Sequence, residues 1–333
     1  MTPPRSLLLL PLLAAALPLF AADKNPTRPS GALGTVLRKT PVYVDADIAS
    51  QRLDVIQPGR ELVVVEQNGP WVRVFANTDT ETDRSPDQPE LGGDAPTPPL
   101  SGWIQNKGIV TINTANADKI LYGAAAGQEA AAASTGPNTS AAAHAARRLY
   151  QRDSQLFPNG PHAGEAAWRA ADIAWQLQRA DIATLPSAHE QDAYLRPQID
   201  ETDMKKIVKR FPGTKFADLA EWDMIDNKLC GDWQGAAKCP EKEAELYQRY
   251  ADTHPASPTA PQALFESLYR LAASGDIYQA DNDMKKATES RDHAKVVAAH
   301  LEQKYPSSDY SARAATLIYQ MEQSIPIYGA ERD

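Results

Sequence analysis

Hydrophobic and polar positions follow two different rhythms along the chain. From Gly31 to about Asn113, "GTVLRK", "PVYVDA", "RELVVVEQ", "PWVRVFA" and "GWIQNKGIVTI" are rich in Val, Ile, Tyr and Trp and are separated by Gly, Pro, Asn and Asp. Short runs of this kind, punctuated by turn formers, predict strands and hence a small all-β unit. Asn68-Gly69 between two of the runs predicts a hairpin. From Ala142 onward the rhythm changes. "AARRLYQRDSQLF", "MKKIVKRF", "EAELYQRYADTH" and "HAKVVAAHLEQKY" carry apolar residues at three- and four-residue steps, which predicts helices with one buried face.

Each helical segment runs into one short phrase, written four times: "FPNGPHAGEAA" from Phe157, "FPGTKFADLAE" from Phe211, "HPASPTAPQAL" from His254 and "YPSSDYSARAA" from Tyr305. Align the prolines Pro158, Pro212, Pro255 and Pro306. Two residues on stand Gly160, Thr214, Ser257 and Ser308. Five on stand Ala163, Ala217, Ala260 and Ser311, and eight on stand Ala166, Ala220, Ala263 and Ala314. Proline lacks an N–H and restricts the residue before it, so it stops the first helix. Ser, Thr or Gly two residues later caps the next helix, and Pro161 suits a first helical position. Pro261 conflicts with a cap at Ser257, which leaves Thr259 as the alternative in the third copy. The two small positions are one helical step apart on one face and let helices approach closely. His254 stands where the other copies have an aromatic that can fold back over the core.

The predicted unit is therefore helix, proline turn, helix. Four copies predict about eight helices stacked as a solenoid with one continuous core. The proline spacings of 54, 43 and 51 are uneven. They exceed the period of about 34 of a regular tetratricopeptide array. The surplus, such as "TLPSAHEQDAYLRPQ" from Thr184, is expected as inserts or helix extensions.

The predicted organisation is multidomain, an all-β unit over 31–113 and an all-α helical-hairpin unit over 142–324. Between them, 114–141 is mostly Ala, Gly, Ser and Thr and reads as a linker, partly helical at its alanine runs. Arg5 followed by an apolar run from Leu7 to Phe20 and then Ala21-Ala22 reads as a signal peptide over 1–22. The competing reading is a membrane anchor. The run is shorter than the roughly 20 residues a span needs, and it contains Pro11 and Pro18. No cysteine follows it, which argues against a lipid anchor, and no second apolar segment of spanning length occurs. The expected mature chain is exported, to the periplasm or beyond, and has no membrane span.

The net charge of −9 argues against a nucleic-acid partner, which would need basic patches, and there is no polybasic segment for anionic lipid. The two cysteines, Cys230 and Cys239 in "CGDWQGAAKC", read as a disulfide in an oxidising compartment. Zinc would need more ligands, and a redox pair favours Cys-x-x-Cys spacing. Asp79, Glu81 and Asp83 alternate in a Pro/Gly-rich acidic insert over 77–101. They lack the glycine and terminal glutamate of a calcium loop, so a solvated loop is expected. The six histidines are dispersed, and His162 with Glu165 lacks the partners of a metallopeptidase. There is no Gly-x-Ser-x-Gly and no phosphate-binding glycine loop. Nothing calls for a catalytic centre, a metal or a cofactor.

Val42-Tyr43, Pro58-Gly59 before Leu62-Val63-Val64-Val65, Gly69-Pro70-Trp71-Val72-Arg73-Val74 and Gly102-Trp103-Ile104 together resemble the bacterial SH3-like domain. The resemblance implies a small open barrel on an exported protein that binds cell-wall peptides or other proteins. Tyr43, Trp71 and Trp103 then have two readings: they line a ligand groove, or they plug a barrel too small to spare aromatic side chains. The Pro-x-[GST]-x-x-[AS]-x-x-Ala phrase over roughly 142–324 resembles the tetratricopeptide-like repeats of bacterial envelope proteins. Those include the lipoproteins of outer-membrane assembly and the periplasmic coordinator of the Tol–Pal system. That resemblance implies a surface for envelope protein partners. Three functions follow as expectations: an interaction scaffold that also takes peptidoglycan, a wall-active enzyme or its regulatory subunit, and a structural spacer.

Overall fold

The structure, a computed structural model, describes residues 30–79, 100–134 and 139–328. The expected signal peptide and most of the acidic insert, including Glu81 and Asp83, lie outside the described residues.

Seven strands make one antiparallel sheet: β1 Ala32–Val36, β2 Thr40–Tyr43, β3 Arg52–Ile56, β4 Glu61–Asn68, β5 Trp71–Ala76, β6 Leu100–Gln105 and β7 Ile109–Thr111. Their order across the sheet is β3-β2-β6-β5-β4-β1-β7. Alternate residues face one side, as the pleat requires. Val36, Val42, Ile56, Leu62, Val72, Val74, Ala76 and Ile104 form the core of this unit. Asn68 pairs with Trp71, so the tight turn from β4 to β5 is made by Gly69 and Pro70. Gly69 takes the positive φ this turn needs, +54°. Gly102 lies where β2 crosses β6. A Cβ there would collide with the Val42 side chain and the Tyr43 carbonyl.

Nine helices follow among the described residues. They are α1 Ala117–Ala132, α2 Thr139–Leu156, α3 Ala163–Ala183, α4 Thr202–Arg210, α5 Lys215–Asp223, α6 Lys238–Thr253, α7 Ala260–Ala280, α8 Met284–Lys304 and α9 Asp309–Glu322. The four proline phrases join α2 to α3, α4 to α5, α6 to α7 and α8 to α9. Phe211, His254 and Tyr305 end their helices in nearly one backbone conformation, φ −124°, −121° and −133° with ψ 50°, 57° and 54°. Thr214 caps α5 by accepting from the Ala217 N–H, and Ser308 caps α9 by accepting from the Tyr310 N–H. In the third copy the residue before α7 is Thr259, and Ser257 Oγ accepts from the Thr259 N–H. The first copy departs from expectation. Gly160 does not cap α3, and Pro161 is not its first residue. The Gly160 carbonyl accepts the Ala163 N–H in a tight turn, and α3 opens after His162.

Helix α1 forms at the alanine run of the expected linker and packs into the helical core. Within 114–141, Ala117, Leu121 and Ala125 recur at helical steps and are buried with Val110, Leu149 and Tyr150. Alanine lets α1 lie close against α2, while Gly123 and Gly127 face open space. The helical stack therefore continues up to the sheet, with α1 against β7 and α2 against β1.

Residues 184–199 form the expected insert, with two short 3-10 turns at Pro186–His189 and Ala193–Leu195. Arg196 pins it, donating to the carbonyls of Ala188 at 3.0 Å and Leu229 at 2.7 Å. Asn227 clasps both backbone groups of Ile199 at 2.9 Å. No helix among the described residues is long and apolar enough to cross a membrane.

Candidate functional site

The aromatic residues singled out in the β unit stand on adjacent strands. Tyr43 of β2 pairs with Trp103 of β6, which also pairs with Arg73 of β5. Trp71 lies two residues before Arg73, and its ring meets Tyr43 edge-on at 5.6 Å. Their neighbours Val42, Val72 and Ile104 fill the core, so strand alternation places all three aromatics on the opposite face. Trp71 is 9% exposed, whereas Tyr43 and Trp103 keep accessible surface. The plug reading therefore describes Trp71 at most, and not from inside the core. Val44, Ile48 and Leu53 add exposed apolar surface on the β2–β3 hairpin, and Arg73 adds a cation.

The sheet is joined to the helices by buried charge. Arg152 of α2 is 3% exposed. It reaches Glu61 of β4 at 2.9 Å, Asp79 at 2.7 Å and the Gly59 carbonyl at 3.3 Å. Arg60 meets the other oxygen of Asp79 at 2.9 Å. Thr78 donates to Glu61 at 2.7 Å, and Arg148 donates to the Pro58 carbonyl at 3.0 Å. The Pro58-Gly59 turn sits directly on the α2 backbone. Gly59 has φ +82°, and a Cβ there would lie 2.7 Å from the Leu149 nitrogen, so a side chain at this point would push α2 away. Asp79, the one described member of the acidic alternation, is thus held by two arginines.

The eight small residues of the repeated phrase are all buried: Ala163, Ala166, Ala217, Ala220, Ala260, Ala263, Ser311 and Ala314. Phe157, Phe211 and Tyr305 pack back onto the helical cores. His254 does something else in the third copy. Its Nδ1 lies 2.9 Å from Asp218 and its Nε2 3.0 Å from Glu221, both on α5. Beside it the Tyr250 hydroxyl gathers Ser257 at 2.7 Å, Thr259 at 2.8 Å and the Asp218 carbonyl at 2.9 Å. A polar clasp here replaces the aromatic and ties the second unit to the third. Among the described residues, no group of His, Cys, Asp and Glu is arranged to hold a metal ion.

Cys230 and Cys239 are bonded, with their Cα atoms 6.0 Å apart. Cys230 follows a short 3-10 turn beyond α5, and Cys239 is the second residue of α6. Buried Glu243 organises the closed loop, accepting from the Cys230 N–H at 2.8 Å and from the Trp233 indole at 3.3 Å. Arg270 of α7 neutralises it at 2.6 Å while lying 4.5 Å over the Tyr247 ring. A disulfide fits an oxidising compartment.

A further carboxylate group joins α3 to the end of α5. Trp175 and Arg179 reach Asp226 at 3.3 and 3.2 Å. Burial, and then the nearby charges of Asp172 and Asp226, push the Asp223 carboxyl up to about 8.

Sequence reasoning did not find the concave feature of the helical unit. Helices α6 and α8 face each other across a cleft of about 460 Å³, floored by Ala244 and Leu271. Glu241 and Glu245 line one wall, and Lys286, Glu289 and His293 the other. Tyr278 donates to Glu241 at 2.8 Å, and Gln248 bonds His293 at 3.1 Å. The available signal was the i, i+4 pair of glutamates on α6 opposite a polar α8. No protein-family profile matches the chain, and no curated protein sequence does.

Proposed function

We propose that the protein is an exported, non-enzymatic scaffold of the bacterial cell envelope. In this reading an SH3-like unit presents Tyr43, Trp71 and Trp103 to wall peptide. Tetratricopeptide-like units present the inner surface of their helices to protein partners. The single observation that carries it is the buried network of Arg152, Glu61 and Asp79. It joins the sheet to the first helical unit, so two chemically different surfaces are held at a set spacing. Holding two ligands at a set spacing is what a scaffold does, and relative motion is the default where no such interface exists. The side chains with the most distinctive environments also serve the scaffold. His254, Glu243 and Arg270 bind neighbouring protein groups rather than facing a cavity.

Co-sedimentation with purified sacculi tests this. The mature chain is expected to sediment with the wall, Tyr43→Ala with Trp103→Ala is expected to stay in solution while folded, and no muropeptide should be released. Muropeptide release by the wild-type chain would instead favour a wall-active enzyme. A folded chain that stays in solution and crosslinks to no envelope protein would leave only a spacer.

A further inference from the structure

We propose that the cleft between α6 and α8 is a binding site for an extended peptide segment carrying a lysine or arginine side chain. The proposal rests on reading the helical units as a protein-binding surface, and it names the chemistry that surface takes. Three carboxylates line the cleft against one lysine. Glu241 is already oriented by the Tyr278 hydroxyl at 2.8 Å. Glu245, one turn on, makes no ion pair or side-chain hydrogen bond among the described residues and is exposed.

The floor supplies a second, independent pointer. Ser290 is 7% exposed and lines the cleft. Its hydroxyl makes no hydrogen bond among the described residues. Reached only from the cleft side, it is a free donor and acceptor for a group that enters there. Around it, Ala244 and Leu271 make an apolar strip. Long cationic side chains lay their methylenes on such a strip while the charged head reaches polar groups. Carboxylates for the head, an apolar floor for the stem and a hydroxyl for a backbone group together fit one basic residue in an extended segment. Lys286, which sits 5.0 Å over the Tyr278 ring, closes one end and disfavours a second cation there. The volume suits one or two residues, not a folded domain.

The test is calorimetric titration of the mature, disulfide-bonded chain with two blocked tripeptides, acetyl-Ala-Lys-Ala-amide and the same peptide with norleucine for lysine. The lysine peptide should bind saturably and the norleucine peptide should not. Glu245→Gln, at an exposed position that leaves the core untouched, should weaken the lysine peptide by about fivefold. Added salt should weaken wild type more than this variant. Equal binding of both peptides, saturation by neither, or an unchanged affinity in folded Glu245→Gln would each overturn the proposal. Crosslinking to envelope proteins is read separately. If it persists without lysine-peptide binding, the cleft assignment fails and the scaffold reading stands. If lysine-peptide binding persists without crosslinking, the reverse holds.

Discussion

Arg152 near the C-terminal end of α2 and Glu61 at the start of β4, 91 residues apart, meet at 2.9 Å with both side chains buried. Asp79 completes the pair at 2.7 Å from the second guanidinium nitrogen. The sheet and the helices share this contact, so the two units should behave as one body.

Arg152→Met tests that directly. It leaves Glu61 and Asp79 facing each other with one fewer cation in a buried site, and loss of one partner of a buried pair costs about 3–5 kcal/mol. Urea denaturation followed by Trp fluorescence should show a lower midpoint. Arg152→Lys should recover only part, since lysine cannot reach two carboxylates and a carbonyl with a planar fork. Midpoints equal to wild type in both variants would mean the network does not couple the units.

Ala220 and Ala314 sit at helix crossings with almost no exposed surface. Ala220→Leu and Ala314→Leu each force a large side chain between helices, and overpacking costs about 1–3 kcal/mol. Thermal melts should fall in both. Leu at Ala299, on the exposed side of α8, is the control and should melt like the parent.

Asp223 sets a pH dependence. Its folded value is raised to about 8, above the usual aspartate value of roughly 3.9 in the unfolded chain. The folded state therefore holds the proton more tightly. The stability this contributes is fully present below about pH 4 and is lost as pH rises through about 8. The groups around Asp223 are Asp172, Asp226, Arg179, Trp168 and Tyr250, and burial raises Asp172 in the same direction. Asp223→Asn should narrow the gap in denaturation midpoint between pH 6 and pH 9. Buried Asp153, pushed up to about 7 by burial and then by Asp118, shifts in the same direction and should preserve part of the slope. An unchanged gap would place the titration elsewhere.

The Cys230–Cys239 bond closes a loop of sequence separation 9. So short a loop should stabilise by about 2–3 kcal/mol. Cys230→Ser with Cys239→Ser should lower the melting temperature while sacculus co-sedimentation persists in the folded fraction. Mass spectrometry after alkylation without reductant should find neither thiol labelled in wild type.

The helix–proline turn–helix unit is legible because each of its instructions acts over one or two turns. Pro212 stops α4, Thr214 caps α5, and Ala217 and Ala220 lie one helical step apart, all within nine residues. The sequence left Tyr43, Trp71 and Trp103 between groove and plug, and the strand pairing sets the parity of each against Val42, Val72 and Ile104. The helicity of the alanine run at Ala117–Ala132 was visible on local grounds, but not its role. Whether Leu121 is a linker residue or a core residue depends on Tyr150 and Val110, which no pattern in the run specifies. Tertiary structure alone decided that His254 clasps Asp218 and Glu221 in place of an aromatic. It alone brought Asp79 out of an apparently solvated insert to Arg152, and set Glu245 and Ser290 across one cleft. Each of these is a meeting of charges or polar groups from distant segments. Electrostatic partners carry no periodicity, so their pairing exists only once apolar packing has fixed which helices and strands are neighbours.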